Sequence, residues 1–143
     1  MTEEEVLDFF EKLRSQRQEL QSLIQERENV ASDLASVKAV QYDKPKITVS
    51  ANSDLAQVLE HIVERCEELD KRLAACMKAL TDMRKEAYAL LTLCDNPRGK
   101  AVLYDRYLTG MSWAEIERKY GCTRQWLDYV RRHAIYVISL KSR

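Results

Sequence analysis

Seven residues close together near the C-terminus have side chains suited to contacting DNA: Thr123, Arg124, Gln125, Asp128, Tyr129, Arg131 and Arg132. An arginine can donate two hydrogen bonds to guanine O6 and N7, and a glutamine can pair in the same two-pronged way with adenine N6 and N7. A carboxylate can accept from cytosine N4, although it repels phosphate. The segment is therefore a candidate for contact with the edges of bases.

The position of these residues along a helix predicts which of them contact bases. In DNA-binding helices the residues of the first two turns reach base edges. That rule places Arg124 and Gln125 at the bases, with Tyr129 at the edge of the same face. Arg131 and Arg132 lie farther along, where we expect them to contact phosphates.

An apolar stripe predicts the helix that carries these residues. Its members recur every three or four positions, as on one buried helix face, and are Leu127, Val130, Ala134 and Ile138. Its expected packing partners are Ile116, Leu103 and Tyr107. Helical spacing from Ile116 also assigns Trp113 and Tyr120 to this core.

Start and stop signals divide residues 96–143 into three helices. Asn96, followed by proline, opens the first helix; Ser112, with a glutamate three residues later, opens the second; and Thr123 caps the third. Gly110 and Gly121 end the first two, because glycine readily adopts the left-handed conformation of a helix terminus. The resulting order of helices and short turns is typical of a helix-turn-helix.

Two stretches resemble the promoter-recognising fourth region of bacterial sigma factors. Ser112-Trp113-Ala114-Glu115-Ile116 stands where that family has Thr/Ser-x-x-Glu-Val/Ile, and Thr123-Arg124-Gln125-x-Leu127 where it has Ser/Thr-Arg-Glu-x-Val/Ile. The chain is also similar to small sigma-like proteins of phages and prophages of Gram-positive bacteria. Their pattern is matched at Asn96-Pro97, Leu103, Arg106-Tyr107, Trp113, Ile116 and Gly121-Cys122-Thr123. The resemblance implies that promoter DNA is a partner, with residues 1–95 expected either to dimerise or to contact RNA polymerase.

The chain departs from the sigma pattern at two positions of the third helix. Gln125 replaces the family's usual glutamate, and Asp128 stands where the family has an arginine. We therefore expect its preferred bases to differ from those of a housekeeping sigma factor. The sigma regions that melt the −10 element have no counterpart in residues 1–95.

Residues 2–40 and 54–94 both have the pattern of long amphipathic helices. Thr2 with Glu5 predicts a capping box for the first helix. In the second, apolar residues occupy every a and d position of six heptads: Leu55, Leu59, Ile62, Cys66, Leu69, Leu73, Cys76, Leu80, Met83, Ala87, Leu90 and Cys94. Pro45 lies in a predicted loop at about 41–53, and the next helix has candidate caps at residues 52–54. The stripes predict either an antiparallel hairpin or an oligomeric coiled coil, with a homodimer as the expected assembly.

Charge divides the chain as the motifs do. Residues 96–143 contain ten Lys/Arg and four Asp/Glu, a net charge of +6, whereas residues 1–95 contain thirteen and nineteen, a net charge of −6. A basic DNA-binding end attached to an acidic end would have this distribution. We therefore predict an all-α chain with a long helical hairpin or coiled-coil arm at 1–95 and a helix-turn-helix at 96–143.

Composition and motifs argue against several other classes. No apolar run approaches the roughly 18 residues of a membrane span, so we expect no membrane association and a cytoplasmic location. The four cysteines lack metal-ligand spacing and are expected to be small core residues. No phosphate loop or catalytic pairing is present, which predicts a protein without enzyme activity, cofactor or metal.

The favoured function is a phage- or prophage-type transcription regulator that binds specific DNA sequences at promoters. One alternative is a small terminase subunit, a DNA-packaging adaptor that forms rings of many subunits. A second alternative is a coiled-coil protein that binds or inhibits another protein. Oligomeric state distinguishes the first two, because a monomer or dimer favours the regulator and a large ring favours the adaptor.

Overall fold

The computed structural model describes residues 1–43 and 49–143. Within these two ranges all regular structure is helical and no strand occurs. The α-helices are α1 (Glu3–Asp43), α2 (Val49–Thr92), α3 (Pro97–Leu103), α4 (Trp113–Tyr120) and α5 (Arg124–Lys141). A π-helical turn, Tyr104–Leu108, extends α3. The predicted all-α fold with two long N-terminal helices is confirmed.

The two long helices extend into the loop predicted at 41–53. Residues 41–43 continue α1, and residues 49–53 already belong to α2. The cap predicted at residues 52–54 is wrong, because α2 begins at Val49. The physical reason is that helix propagation adds one hydrogen bond for each residue fixed, whereas a polar residue inside a helix costs less than about 0.7 kcal/mol. The rest of the predicted loop, residues 44–48 with Pro45, lies outside the described residues.

The chain forms two compact units. The terminal unit consists of Met1–Glu19 and Lys78–Arg143, and the middle unit consists of Leu20–Met77. The N-terminal part of α1 shares a unit with the C-terminal part of α2, as expected for antiparallel helices. This division does not coincide with the boundary predicted between residues 95 and 96, because residues 1–19 and 78–95 pack with the C-terminal helices.

An apolar seam holds together the two helical segments of the middle unit. The seam consists of buried Leu23, Leu69 and Cys76 and partly buried Leu20, Val30 and Leu73. Ion pairs also join the two segments: Arg27 Nε lies 2.8 Å from Asp70 Oδ1, and Arg65 contacts Glu26. Along α2 and just beyond it, all twelve predicted a and d residues are buried or half-buried. The stripe of α1 therefore packs against that of α2 within one chain, as in the predicted hairpin.

The first turns of α1 contribute to the core of the terminal unit. Phe10 is fully buried, and its ring centroid lies 5.4 Å from that of Tyr107. The neighbouring residue, Phe9, is only half-buried and packs edge-on against Phe10. The aromatic contact at Phe10 thus joins α1 to the π-helical turn.

Two arginines of α1 bind the backbone where the π-helical turn ends. Arg14 Nη1 donates to the carbonyl oxygen of Arg106 at 3.1 Å, and Arg17 Nη1 donates to that of Leu108 at 2.7 Å. Carbonyl groups at a helix end lack intrahelical hydrogen-bond donors, and the two guanidinium groups supply donors in their place. Gly110 has φ +83°, and a Cβ there would lie 2.9 Å from Arg17 Nε. Glycine therefore allows both the left-handed turn and the approach of the arginine.

Candidate nucleic-acid interface

Side-chain caps begin α3, α4 and α5 at the predicted residues. Asn96, Ser112 and Thr123 each accept a hydrogen bond from a backbone N–H two or three residues farther on, at 3.0, 3.2 and 3.3 Å. Gly121 has φ +64° and ends α4 in the left-handed conformation. Residues 121–123 therefore form a three-residue turn between α4 and α5. These local predictions are confirmed.

A common apolar core fixes α3, α4 and α5 to one another. Its buried members are Val102 of α3, Ile116 of α4, and Leu127 and Val130 of α5. Trp113 and Tyr120 pack against this cluster and are partly buried, as expected. Sequence reasoning selected Leu103 rather than its neighbour Val102. Both are fully buried, and adjacent residues of a short helix lie only about 100° apart, so the pattern alone does not choose between them.

A buried carboxylate joins α4 to the π-helical turn. Asp105 Oδ2 accepts from Lys119 Nζ at 2.9 Å and from the Tyr120 hydroxyl at 2.5 Å. The hydrogen bond to Asp105 raises the pKa of Lys119. Burial, followed by the hydrogen bond to Asp105, raises the pKa of Tyr120. Both donors therefore remain protonated at neutral pH and hold the C-terminal end of α4 in place.

Thr123, the first predicted contact residue, is the cap of α5. The structure separates the six predicted contact residues that follow it into two groups. The exposed residues of the outer face are Gln125, Tyr129 and Arg132. The residues that interact with one another beside α4 are Arg124, Asp128 and Arg131. Among the described residues, neither Gln125 nor Arg132 makes a side-chain hydrogen bond. The outer group is thus available to a ligand, whereas the inner group already has partners.

Three guanidinium groups surround the ring of Trp113. Those of Arg106, Arg124 and Arg131 lie 4.7, 4.1 and 5.4 Å from its centroid. The Nε atoms of Arg106 and Arg131 are buried and have no hydrogen-bond partner within the described ranges, so the π face stabilises them instead. Burial, followed by the charge of Arg14, lowers the pKa of Arg106, but a guanidinium remains charged at neutral pH. The cluster is therefore cationic.

The two arginines predicted to contact phosphate differ in their surroundings. The Arg131 side chain is only 18% exposed; its Nη1 lies 3.5 Å from the Tyr107 hydroxyl and its Nη2 lies 3.8 Å from Asp128. Arg132 is exposed and has no such partner among the described residues. Arg131 consequently has a structural part in the Trp113 cluster, and Arg132 is the better placed of the two to reach an anion.

Sequence reasoning missed Trp126 as a surface residue of the candidate site. The Trp126 side chain is 42% exposed and that of Tyr129 is 62% exposed, and the two rings stack with centroids 5.7 Å apart. Helix geometry indicates the exposure of Trp126, because residue 126 lies about 100° around the helix from buried Leu127 and one turn before Tyr129. The apolar stripe therefore passes beside Trp126 rather than through it.

The two units are less different in charge than the sequence division suggests. Residues 1–19 carry six acids, so the terminal unit has sixteen Lys/Arg and thirteen Asp/Glu, a net charge of +3. The middle unit has seven and ten, a net charge of −3. Glu3 and Glu4 line a pocket together with Arg131 and Arg132. Acidic residues of α1 thus lie close to part of the basic surface of α5.

The described residues contain no group of three or more His, Cys, Asp or Glu side chains that could hold a metal ion. Cys66, Cys76 and Cys94 are buried and Cys122 is half-buried, all as free thiols, which confirms the expected packing role for the first three. None of the helices in residues 1–43 and 49–143 is long and apolar enough to cross a membrane.

Comparison with known proteins finds no match to this chain among family models, curated proteins or solved structures.

Proposed function

We propose that this chain is a DNA-binding transcription regulator that contacts a specific duplex sequence through α5. The observation that carries the proposal is the outer face of this helix, where Gln125, Tyr129 and Arg132 are exposed. The helix is fixed on α3 and α4 by a common core and begins at a side-chain cap. A rigid helix with polar side chains on its first turns has the shape and chemistry for the major groove.

Each residue of the proposed interface has a distinct task. Gln125 lies in the first turn, where an amide can pair with adenine N6 and N7. Arg124 retains 43% side-chain exposure while stacked on Trp113, so its guanidinium is held in one region and still has donors for guanine. Arg132 lies more than two turns along α5, where phosphate is the nearer partner.

Promoter binding and contact with RNA polymerase are the parts of the proposal that rest on the resemblance to sigma region four. The resemblance also supports a phage or prophage origin and action in the cytoplasm. Gln125 and Asp128 differ from the sigma pattern within the proposed base-contacting turns. The preferred promoter sequence should accordingly differ from that of a housekeeping sigma factor.

The middle unit is the proposed site of homodimer formation. Its surface has exposed apolar side chains at Ile24, Val58, Val63 and Met77, which another helical surface can bury. A dimer would present two copies of α5 to one DNA molecule and so increase binding through avidity. The mass of the protein in solution tests this assembly. A large ring would contradict the regulator and favour a DNA-packaging adaptor.

Duplex DNA binding should depend strongly on salt, because arginines that neutralise phosphates release counterions. After selection of a preferred sequence from a random pool, Gln125→Ala should weaken binding to that sequence far more than to random DNA. One base contact of this kind is worth about 1–3 kcal/mol of discrimination. Arg132→Ala should weaken both about equally. Titrations of full-length protein with labelled duplexes at several salt concentrations measure these effects. Absence of binding at low salt would exclude the proposed function.

Asp128→Asn should increase the affinity for random duplex DNA. In the native protein Asp128 Oδ1 lies 3.2 Å from Arg124 Nε and 3.8 Å from Arg131 Nη2, so its charge offsets both guanidiniums. The substitution keeps the side-chain shape but removes this charge, and the slope of log K against log salt should steepen by about one phosphate contact. Asp82→Asn, an exposed site on α2, provides the matched change of charge away from α5. Equal responses of the two variants would contradict a role for Asp128 at the interface.

A further inference from the structure

An exposed aromatic pair interrupts the polar surface at the start of α5. Trp126 lies in the first turn and Tyr129 in the second, with their rings inclined by 27° to each other. A patch of adjacent large aromatic side chains at a protein surface is typical of contact sites, whereas single exposed aromatic residues are common on solvated faces. Because each ring packs against the other, both are held in place before any ligand binds.

The surroundings of the pair suit a polyanion with an apolar feature. Trp126 and Tyr129 line a shallow pocket of about 350 Å³ together with Asn96, Arg98, Val130 and His133. None of these lining residues is acidic. Arg98 is exposed at the beginning of α3, on the border of this pocket, where it can contact a phosphate. Tyr129 also belongs to the outer face of α5, together with Gln125 and Arg132.

We propose that Trp126 and Tyr129 contact the C5-methyl group of thymine in the major groove and thereby select thymine at one or two positions of the binding site. The inference rests on the proposed function. In the major groove the thymine methyl is the apolar group among the donors and acceptors of the base edges. Both residues lie in the two turns of a recognition helix that reach base edges. Gln125, between them and Arg124, would contact a neighbouring base pair.

Replacement of thymine by deoxyuridine tests the inference, because it removes only the methyl group. In the preferred duplex, each thymine is replaced in turn and binding of the full-length protein is measured. At a contacted position affinity should fall about fourfold, which corresponds to the roughly 0.8 kcal/mol of one buried methyl group. In Trp126→Ala or Tyr129→Ala this effect of deoxyuridine should disappear. Tyr136→Ala is the matched control: it removes an exposed tyrosine of α5 beyond the first two turns and should retain the effect.

The outcomes separate this inference from the proposed function. Unchanged affinity for deoxyuridine at every position, persistence of its effect in both aromatic variants, or a preferred sequence without thymine would overturn the inference. The protein would still be a DNA-binding protein in each of those cases. Loss of all salt-dependent duplex binding would overturn both. The comparison between thymine and deoxyuridine in the native protein requires no substitution in the chain, so it does not depend on the folding of a variant.

Discussion

Phe10→Ala should destabilise the terminal unit by about 3–5 kcal/mol, the usual cost of removing a buried phenylalanine ring. Phe10 is fully buried and packs against Tyr107, far away in the sequence. The only two tryptophans, Trp113 and Trp126, both belong to this unit, so the midpoint of denaturation followed by tryptophan fluorescence measures its stability. The transition should shift to lower denaturant concentration.

Phe9→Ala provides the matched control for this experiment. Phe9 is half-buried, so removal of its ring leaves a smaller cavity and should cost clearly less than removal of Phe10. If residues 96–143 were an independent module, neither substitution in α1 would change its tryptophan transition. That result would contradict the terminal unit described above.

Leu69→Asp should unfold much of the middle unit. Leu69 is fully buried in the seam with Leu23 and Cys76. Loss of a buried leucine costs about 2–5 kcal/mol, and a carboxylate left in an apolar environment adds a further penalty. Both tryptophans lie outside this unit, so circular dichroism is the measurement that reports loss of its helices. Lower pH should recover part of the helicity, because protonation removes the buried charge.

Ala74→Asp is the control for this second experiment. It introduces the same carboxylate into the same helical segment, but Ala74 is exposed and is not one of the apolar residues proposed for the dimer surface. Helicity should therefore fall little, since the lower helix propensity of aspartate costs at most about 0.7 kcal/mol. If Leu69→Asp and Ala74→Asp retained equal helicity and equal resistance to denaturant, the apolar seam would not be what holds the middle unit together.

Local signals in the sequence were sufficient to predict the C-terminal helices. Caps at Asn96, Ser112 and Thr123 and the left-handed turn at Gly121 depend on residues two or three positions apart. The heptad stripe of α2 is likewise a local pattern, since its spacing follows from helix geometry alone. The start of α2 is the exception. The polar residues at 52–54 allow either a cap or helix continuation, and the energy difference between the two is small.

The sequence also predicted part of the candidate site. Helical periodicity placed Gln125 and Arg132 on the outward face of the helix, with Tyr129 at its edge, and all three are exposed in the structure. Periodicity did not predict that Arg124 and Arg131 share the ring of Trp113 with Arg106. That arrangement depends on how α3, α4 and α5 pack, which is a matter of side-chain shape across separate helices rather than of spacing within one.

Residue types and their spacing are therefore enough to predict the helices, the ends of α3, α4 and α5 at caps and glycines, and most of the buried faces. Which helices share a core depends instead on contacts between residues far apart in the chain. Arg14 donates a hydrogen bond to the carbonyl oxygen of Arg106, 92 positions away in the sequence. The ring of Phe10 packs against that of Tyr107 in the same region. No local pattern encodes such contacts, because an apolar or basic side chain can satisfy its requirements with any partner of suitable shape. For the same reason the acidic first turns of α1 pack in one unit with the basic C-terminal helices. Residues 96–143 and 1–95 have net charges of +6 and −6, whereas the terminal and middle units have net charges of +3 and −3.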